Sequence, residues 1–213
     1  MKHLENIEKL FAKGNVESPL LETFDSGELY ISSGKILACD PLLTPNKEAF
    51  TQSFPKGKFP TFIHKERESN TIAYAEVCFS KHPIVKWEMA LTQGQDTKNL
   101  EEEEIFGYPV ESGMGCLMDE DTQTLTNQLE KELYEKKGNQ FLGIYEEFFH
   151  NYFYEKDKMI TQYNLLKPYS DKENNLLAFE AGYGEGFYAS YIAYDKDQKP
   201  VKLISEFIEI VVD

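Results

Sequence analysis

The chain has 213 residues, 41% of them hydrophobic, which is ample for one sizeable core without disulfide staples. Asp and Glu number 37 against 22 Lys and Arg, a formal charge of −15. A surface this acidic repels phosphate backbones and anionic lipid, so nucleic acid and membrane surfaces are set aside as expected partners. The single arginine, Arg67, leaves almost nothing for bidentate phosphate clamps.

Residues 1–24 read as an N-terminal helix and lead-in. Leu4, Ile7, Leu10 and Phe11 fall on one face of a short amphipathic helix with Gly14 at its C-terminal cap. Glu5 and Glu8 occupy the stretch that a signal peptide keeps apolar, and no run approaches the ~18 apolar residues of a membrane span. A soluble cytoplasmic protein is therefore expected. Gly27–Leu42 reads as two short strands around Ser32-Ser33-Gly34, ending at Asp40-Pro41, and Pro41, Pro45 and Pro55 make 41–57 a loop. Lys58–Lys65 and Thr71–Ser80 have strand composition, and Val85, Trp87, Met89 and Leu91 share one face of a strand within Pro83–Leu91. Short connections between these runs favour antiparallel pairing over βαβ units.

Gln93–Glu104 reads as a polar surface loop whose carboxylate run, Glu101–Glu104, is a solvated face. A strand follows at Tyr108–Glu111, then a glycine-marked turn at Gly113-Met114-Gly115-Cys116. A helix is predicted over about 121–137, capped by Asp119 or Asp121, with Leu125, Leu129 and Leu133 on one face and Gly138 at its end. The spacing of Phe141, Tyr145, Phe148, Phe149 and Tyr152 predicts a second helix over about 141–154 whose aromatic stripe covers a sheet. Leu176–Ala181 and Phe187–Tyr194 are strand-like on both sides of a glycine-rich, hairpin-like turn. Asp195–Pro200 is a hairpin loop, and Val201–Val212 is a long final strand. That strand is expected to be central, because the alternating Ile208, Ile210 and Val212 are an aggregation hazard on a sheet edge. No repeat, linker or composition shift divides the chain. The expected architecture is one α+β domain over 1–213, mainly antiparallel β-sheet, with an N-terminal helix and two helices packed on the sheet.

Few motifs carry chemistry. Gly182-Tyr183-Gly184-Glu185-Gly186 is rich enough in glycine to approach a ligand through its backbone. It is not followed by a helix or by Lys-Ser/Thr, however, and Glu185 repels phosphate, so Rossmann and P-loop readings fail. Cys116, read as preceding a helix N-terminus, is a candidate nucleophile that the acidic neighbours Asp119, Glu120 and Asp121 disfavour; a buried small hydrophobe is the preferred reading. Cys39, Cys78 and Cys116 lie far apart without a CxxC spacing, which argues against a disulfide framework or a structural zinc. Asp195 and Asp197 lack the glycine and terminal Glu of a calcium loop and read as a plain turn. No HExxH, HxH or GxSxG occurs, and no catalytic set, cofactor or metal is expected. The candidate ligand site lies between the Gly113–Asp119 and Gly182–Gly186 turns. Asp119 and Glu185 are its polar groups, Gly182 and Gly184 its backbone approach, and Trp87 or Tyr183 its wall.

The order of several segments resembles a known family. These are Gly34–Pro41, Lys86-Trp87-Glu88-Met89-Ala90-Leu91, Phe106-Gly107-Tyr108-Pro109-Val110, Gly113–Asp119 and the Gly182–Gly186 turn. Together they are similar to domain-of-unknown-function family 4241 of bacterial proteins, over about 25–213. In that family the late turn usually reads Ser-Gly-x-Gly-Asp-Gly; here Ala181 stands for the serine and Glu185 for the aspartate. The resemblance implies no reaction, cofactor or active site. Two functions compete. One is a non-catalytic binding protein, for instance an immunity-type protein that neutralises a basic protein partner, motivated by the charge and by analogy with other small acidic bacterial proteins. The alternative is a small enzyme or ligand-binding protein using the site between the two glycine turns. The sequence leaves a homo-oligomer open.

Overall fold

The computed structural model describes residues 2–12, 16, 18–43, 47–101 and 104–211. The expected cap at Gly14, the middle of the Glu101–Glu104 run and Val212 lie outside the described residues. In chain order the elements are α1 (Lys2–Leu10), β1 (Leu21–Ile31), β2 (Ile36–Cys39), β3 (Gly57–Glu66), β4 (Ile72–Cys78), β5 (Lys86–Met89), β6 (Tyr108–Val110) and β7 (Met114–Asp119). Then come α2 (Glu120–Lys137), a π turn (Tyr145–Phe149) running into α3 (His150–Phe153), β8 (Tyr154–Glu155), β9 (Lys158–Met159) and β10 (Tyr163–Leu166). The chain continues through β11 (Leu176–Glu180), β12 (Gly186–Tyr188), β13 (Ser190–Tyr194) and β14 (Pro200–Glu206).

The α+β, antiparallel architecture agrees with the sequence reading, but the strands form two principal sheets and two small ribbons. A six-stranded sheet has the order β1-β3-β4-β14-β13-β5, and a four-stranded sheet the order β10-β11-β7-β2. β12 pairs with β6, β8 pairs with β9, and every pairing is antiparallel. The central strands of both sheets are apolar at successive positions because each sheet is covered on both faces. In β7, Leu117 faces the core between the sheets, while Met114, Cys116 and Met118 face the opposite side. In β4, Ala75 and Val77 point between the sheets and Tyr74 points outward. The outer face of the six-stranded sheet is covered by α1 through Ile7, Leu10 and Phe11. The outer face of the four-stranded sheet is covered by Ile144, Phe148, Phe149 and Phe153. Full burial of a side chain such as Phe11 contributes about 1.5–3 kcal/mol.

Several expectations are refined. β1 is eleven residues long and pairs with β3, so the Ser32-Ser33-Gly34 turn carries the chain from one sheet to the other and joins no hairpin. Met114–Asp119, expected in part as a turn, is a strand at the centre of the four-stranded sheet. The Gly182–Gly186 segment likewise joins strands of different sheets, since β11 pairs with β7 and β10 while β12 pairs with β6. β14 is central as expected, but it ends at Glu206, so Ile208 and Ile210, on whose alternation the expectation rested, lie beyond the strand. Beyond it Phe207 and Ile208 both donate to the Ala73 carbonyl, and Phe207 packs into the core between the sheets. Of the four residues expected on one face of Pro83–Leu91, Trp87 and Met89 are buried, Leu91 is half-buried and Val85 is exposed.

The predicted 141–154 helix is shorter and starts with the π turn, in which the His150 amide donates to the Tyr145 carbonyl. The wider turn shifts the phase of the stripe: Ile144, Phe148, Phe149 and Phe153 are buried, whereas Tyr152 faces solvent. The 120–137 helix starts at Asp119 and ends at Gly138 as expected, with Thr122 and Thr126 its most buried residues.

Beneath α1 the six-stranded sheet buries a charged cluster. His64 Nε2 lies 2.9 Å from Glu76 Oε2, Lys202 Nζ pairs with Glu76 Oε1, and His64 Nδ1 lies 2.9 Å from Thr23 Oγ1. Burial alone pushes the Glu76 carboxyl up; the His64 hydrogen bond and the Lys202 charge outweigh it and hold the group below the usual carboxylate range. The three residues are at most 3% exposed and Phe11 meets His64 edge-on, so the cluster is sealed. Its partners make it a structural group.

Glu206, at the end of β14, has the opposite fate. Burial and the nearby Glu209 raise its carboxyl to about 7, against opposition from Tyr74 and Tyr191, and one of its oxygens has no hydrogen-bond partner. The folded protein therefore keeps a proton that the unfolded chain releases near 4.5, and stability falls as pH rises from there through about 7. Chemical denaturation is expected to show a loss of about 2–3 kcal/mol from this group between pH 4.5 and pH 8, which Glu206→Gln removes. Glu76→Ala leaves Lys202 buried without its counter-charge. It is expected to lower stability by about 3–5 kcal/mol in the same assay.

Candidate functional site

The two glycine segments are brought together by one strand pairing. β7 and β11 run antiparallel with Met114 opposite Glu180, and the Ala181 amide extends the ladder by donating to the Gly113 carbonyl at 2.9 Å. A Cβ built on Gly113 lies 3.8 Å from the Gly184 Cα. Glycine is required at two positions for this approach. Gly182 has φ of +51° and a Cβ there meets Phe207 Cβ at 2.9 Å, while a Cβ on Gly115 comes within 2.5 Å of the Phe179 ring across the ladder. The segment read as a glycine-marked turn is a strand for this reason: Gly115 leaves room for an aromatic ring on the neighbouring strand.

The Ser112–Gly113 corner is pinned by Asp40 at the end of β2. Asp40 Oδ2 accepts from the Glu111 amide at 3.0 Å and the Ser112 amide at 2.8 Å, and Oδ1 accepts from the Leu42 amide at 2.9 Å. Sequence reasoning treated Asp40-Pro41 only as a turn dipeptide, because its partners lie about 70 residues away. On the other flank, β8 and β9 form a two-residue hairpin with Lys156 and Asp157 at φ of +48° and +63°, placing Tyr154 opposite Met159. Lys-Asp at this turn lacks the usual Asn-Gly signature, so the hairpin had no clear sequence signal.

These pieces enclose a cleft of about 510 Å³. One side is built from Ser112, Met114, Glu180 and the Gly182–Gly184 turn with Tyr183; the other from Tyr145 of the π turn, Phe153 of α3, and the Tyr154–Met159 pair. His150 stacks on Tyr154 with ring centroids 5.1 Å apart and meets Tyr145 edge-on at 5.8 Å, which fixes both tyrosine rings. Burial first, then Tyr154, Glu146 and Glu180, raise the Tyr145 hydroxyl above its ordinary value. The Glu180 carboxylate forms no hydrogen bond or ion pair among the described residues.

Of the residues singled out from the sequence, Gly182, Gly184 and Tyr183 line this cleft, and Tyr183 is 74% exposed at its rim. Glu185 is exposed on the same turn but is not part of the lining. Asp119 ends β7 at the opposite end from Gly113, roughly 20 Å of strand away, and is fully buried. Its carboxylate caps α2 through the Asp121 amide and accepts from Ser32 Oγ, Ser33 Oγ and the Ser33 amide. Trp87 lies in the outer cluster of the six-stranded sheet, 5.9 Å from the Phe11 ring, and forms no wall of the cleft. Cys116 sits mid-strand and fully buried, with its sulfur 3.5 Å from that of Cys39 on the adjacent strand. Both are free thiols, which the long sequence separation had hidden as neighbours. Burial and the adjoining Cys39 push the Cys116 thiol up, the reverse of what a nucleophile needs. Asp195 accepts from the Asp197 and Lys199 amides in the β13–β14 turn and contacts His82 Nδ1 at 2.9 Å. Glu180, Tyr145, Tyr154 and Met159 are among the lining residues that sequence reasoning missed.

The geometry defines an antiparallel α+β protein with an aromatic, thioether-lined cleft at the ends of two paired strands. No helix among the described residues is long and apolar enough to cross a membrane. The chain belongs to the family described as Protein of unknown function (DUF4241), whose model matches residues 29–205. No curated protein and no solved structure gives a significant match.

The two carboxylates first paired as polar groups of the site are expected to behave differently. Asp119→Ala removes a helix cap and several buried hydrogen bonds to a charged group, lowering stability by about 2–4 kcal/mol. Glu185→Gln stays within about 0.5 kcal/mol of the parent protein. Urea denaturation of the two variants checks both values.

Proposed function

We propose that this chain is a non-catalytic, cytoplasmic binding protein whose recognition site is the cleft between the Gly113 and Gly182 segments. The observation that carries the reading is the lining itself: a preformed concavity of aromatic and thioether surface with one unpaired carboxylate, the composition of a site that holds a ligand by shape and a few polar contacts. Tyr145, Tyr154 and Phe153 stand on short, tightly turned elements, so little ordering entropy is lost on binding. A paired-carboxylate mechanism calls for a second carboxylate at a defined separation. The lining supplies Glu180 as its carboxylate.

A second reading has its own observation in its favour. The charge of −15 favours encounter with a basic polypeptide, as in an immunity-type protein, through long-range attraction that salt screens. The two readings are compatible when a side chain of the partner enters the cleft.

Ligand-observed NMR with a fragment library tests the site. Fragments that bind the parent protein are expected to be lost on Ser112→Trp, which fills the cleft, while the thermal unfolding midpoint stays within about 4 °C. Binders that persist undiminished in the filled variant place recognition elsewhere on the molecule.

A further inference from the structure

We infer that the cleft takes the ammonium head of an organic cation, an inference that rests on reading the cleft as a binding site. Three tyrosine rings, Tyr145, Tyr154 and Tyr183, and the thioethers of Met114 and Met159 line the space into which Glu180 contributes its carboxylate. Aromatic faces carry negative quadrupole potential and thioether sulfur is polarisable, so both favour a soft cation over an anion. Glu180 supplies a full opposite charge. It is half-buried and forms no hydrogen bond or ion pair among the described residues.

The basic groups near this carboxylate are committed elsewhere or absent. Lys65, whose ammonium feels Glu180, donates to Gln162 and lies 5.2 Å from the Phe24 ring centroid and 5.7 Å from that of Tyr163, without an ion pair to Glu180. Among the described residues, no Lys, Arg or His lines the cleft. An anion has correspondingly little to bind. In the glycine segment the Ala181 amide donates to Gly113 and the Gly184 amide to Ala181, so these N–H groups are already used within the turn. The overall charge of −15 adds a long-range field of matching sign.

The test compares choline with its neutral isostere 3,3-dimethylbutan-1-ol, which has the same shape without the charge. Affinities are read from chemical-shift titrations that follow the amides of Gly113, Tyr183 and Gly184. Choline is expected to bind about five- to tenfold more tightly than the neutral isostere. Glu180→Gln is expected to remove most of that preference while leaving the neutral compound's affinity unchanged, and Tyr183→Ala to weaken choline about fivefold. Equal or tighter binding of the neutral isostere overturns the cation assignment and leaves the cleft reading standing. Failure of both compounds, at millimolar concentration, to shift the cleft amides overturns the cation assignment and the cleft reading together. If Glu180→Gln does not fold, the isostere comparison and Tyr183→Ala decide the matter without it. A parallel titration with Nα-acetyl-lysine methylamide separates the two sources of an ammonium group. Tighter binding than choline supports a lysine of a basic polypeptide, and weaker binding supports a free quaternary ammonium compound.

Discussion

The pairing of β7 with β11 is the constraint on which the rest of the functional architecture depends. The ladder from Met114–Glu180 to Met118–Leu176 joins segments distant in the chain and forms the centre of the four-stranded sheet. Its close fit requires Gly115, because the Phe179 ring lies where any side chain would stand. At one end it sets Gly113 against Ala181 and Gly184 and opens the cleft. At the other it delivers Asp119 to the start of α2 and to the Ser32-Ser33 turn. A one-residue slip of β11 would turn Phe179 out of the core between the sheets and place Ala178 there instead.

Two buried aspartates extend that constraint in opposite directions. Asp40, at the end of β2, satisfies three backbone amides and thereby holds the Ser112–Gly113 corner of the cleft. Asp119 binds the crossover between the two sheets to the first turn of α2. Both carboxylates are consumed by structure, which leaves Glu180 as the uncommitted one in the cleft wall. The same economy of roles holds beneath α1, where Glu76 is matched by His64 and Lys202 and is closed off by Phe11. α1 precedes the 29–205 stretch matched by the family model, yet it buries Ile7 and Phe11 completely, so it is part of this chain's core.

Local signals in the sequence were read well where the deciding physics is local. The amphipathic spacing of Ile7, Leu10 and Phe11, the Asp119 cap with Gly138 at the end of α2, and the Asp195–Pro200 turn depend on neighbours a few residues away, and each appears in the structure. The aromatic stripe was legible as a sheet cover, but its phase was not. The π turn at Tyr145–Phe149 accompanies the burial of Phe153 in place of Tyr152 and leaves Tyr145 to line the cleft. The glycine segments were legible as unusual backbone, and their partners were not.

Composition and periodicity by themselves determined an acidic, β-rich α+β chain with antiparallel pairing, because side-chain alternation and turn residues act within a few positions of the backbone. The split into two sheets, the proximity of Gly113 to Gly184, the pairing of Cys39 with Cys116 across adjacent strands and the burial of Asp119 away from the cleft were decided only in three dimensions. Each depends on which strand lies beside which. In an antiparallel protein with buried faces that order is selected by the mutual fit of distant side chains, such as Phe179 over Gly115, for which no single segment carries a signal.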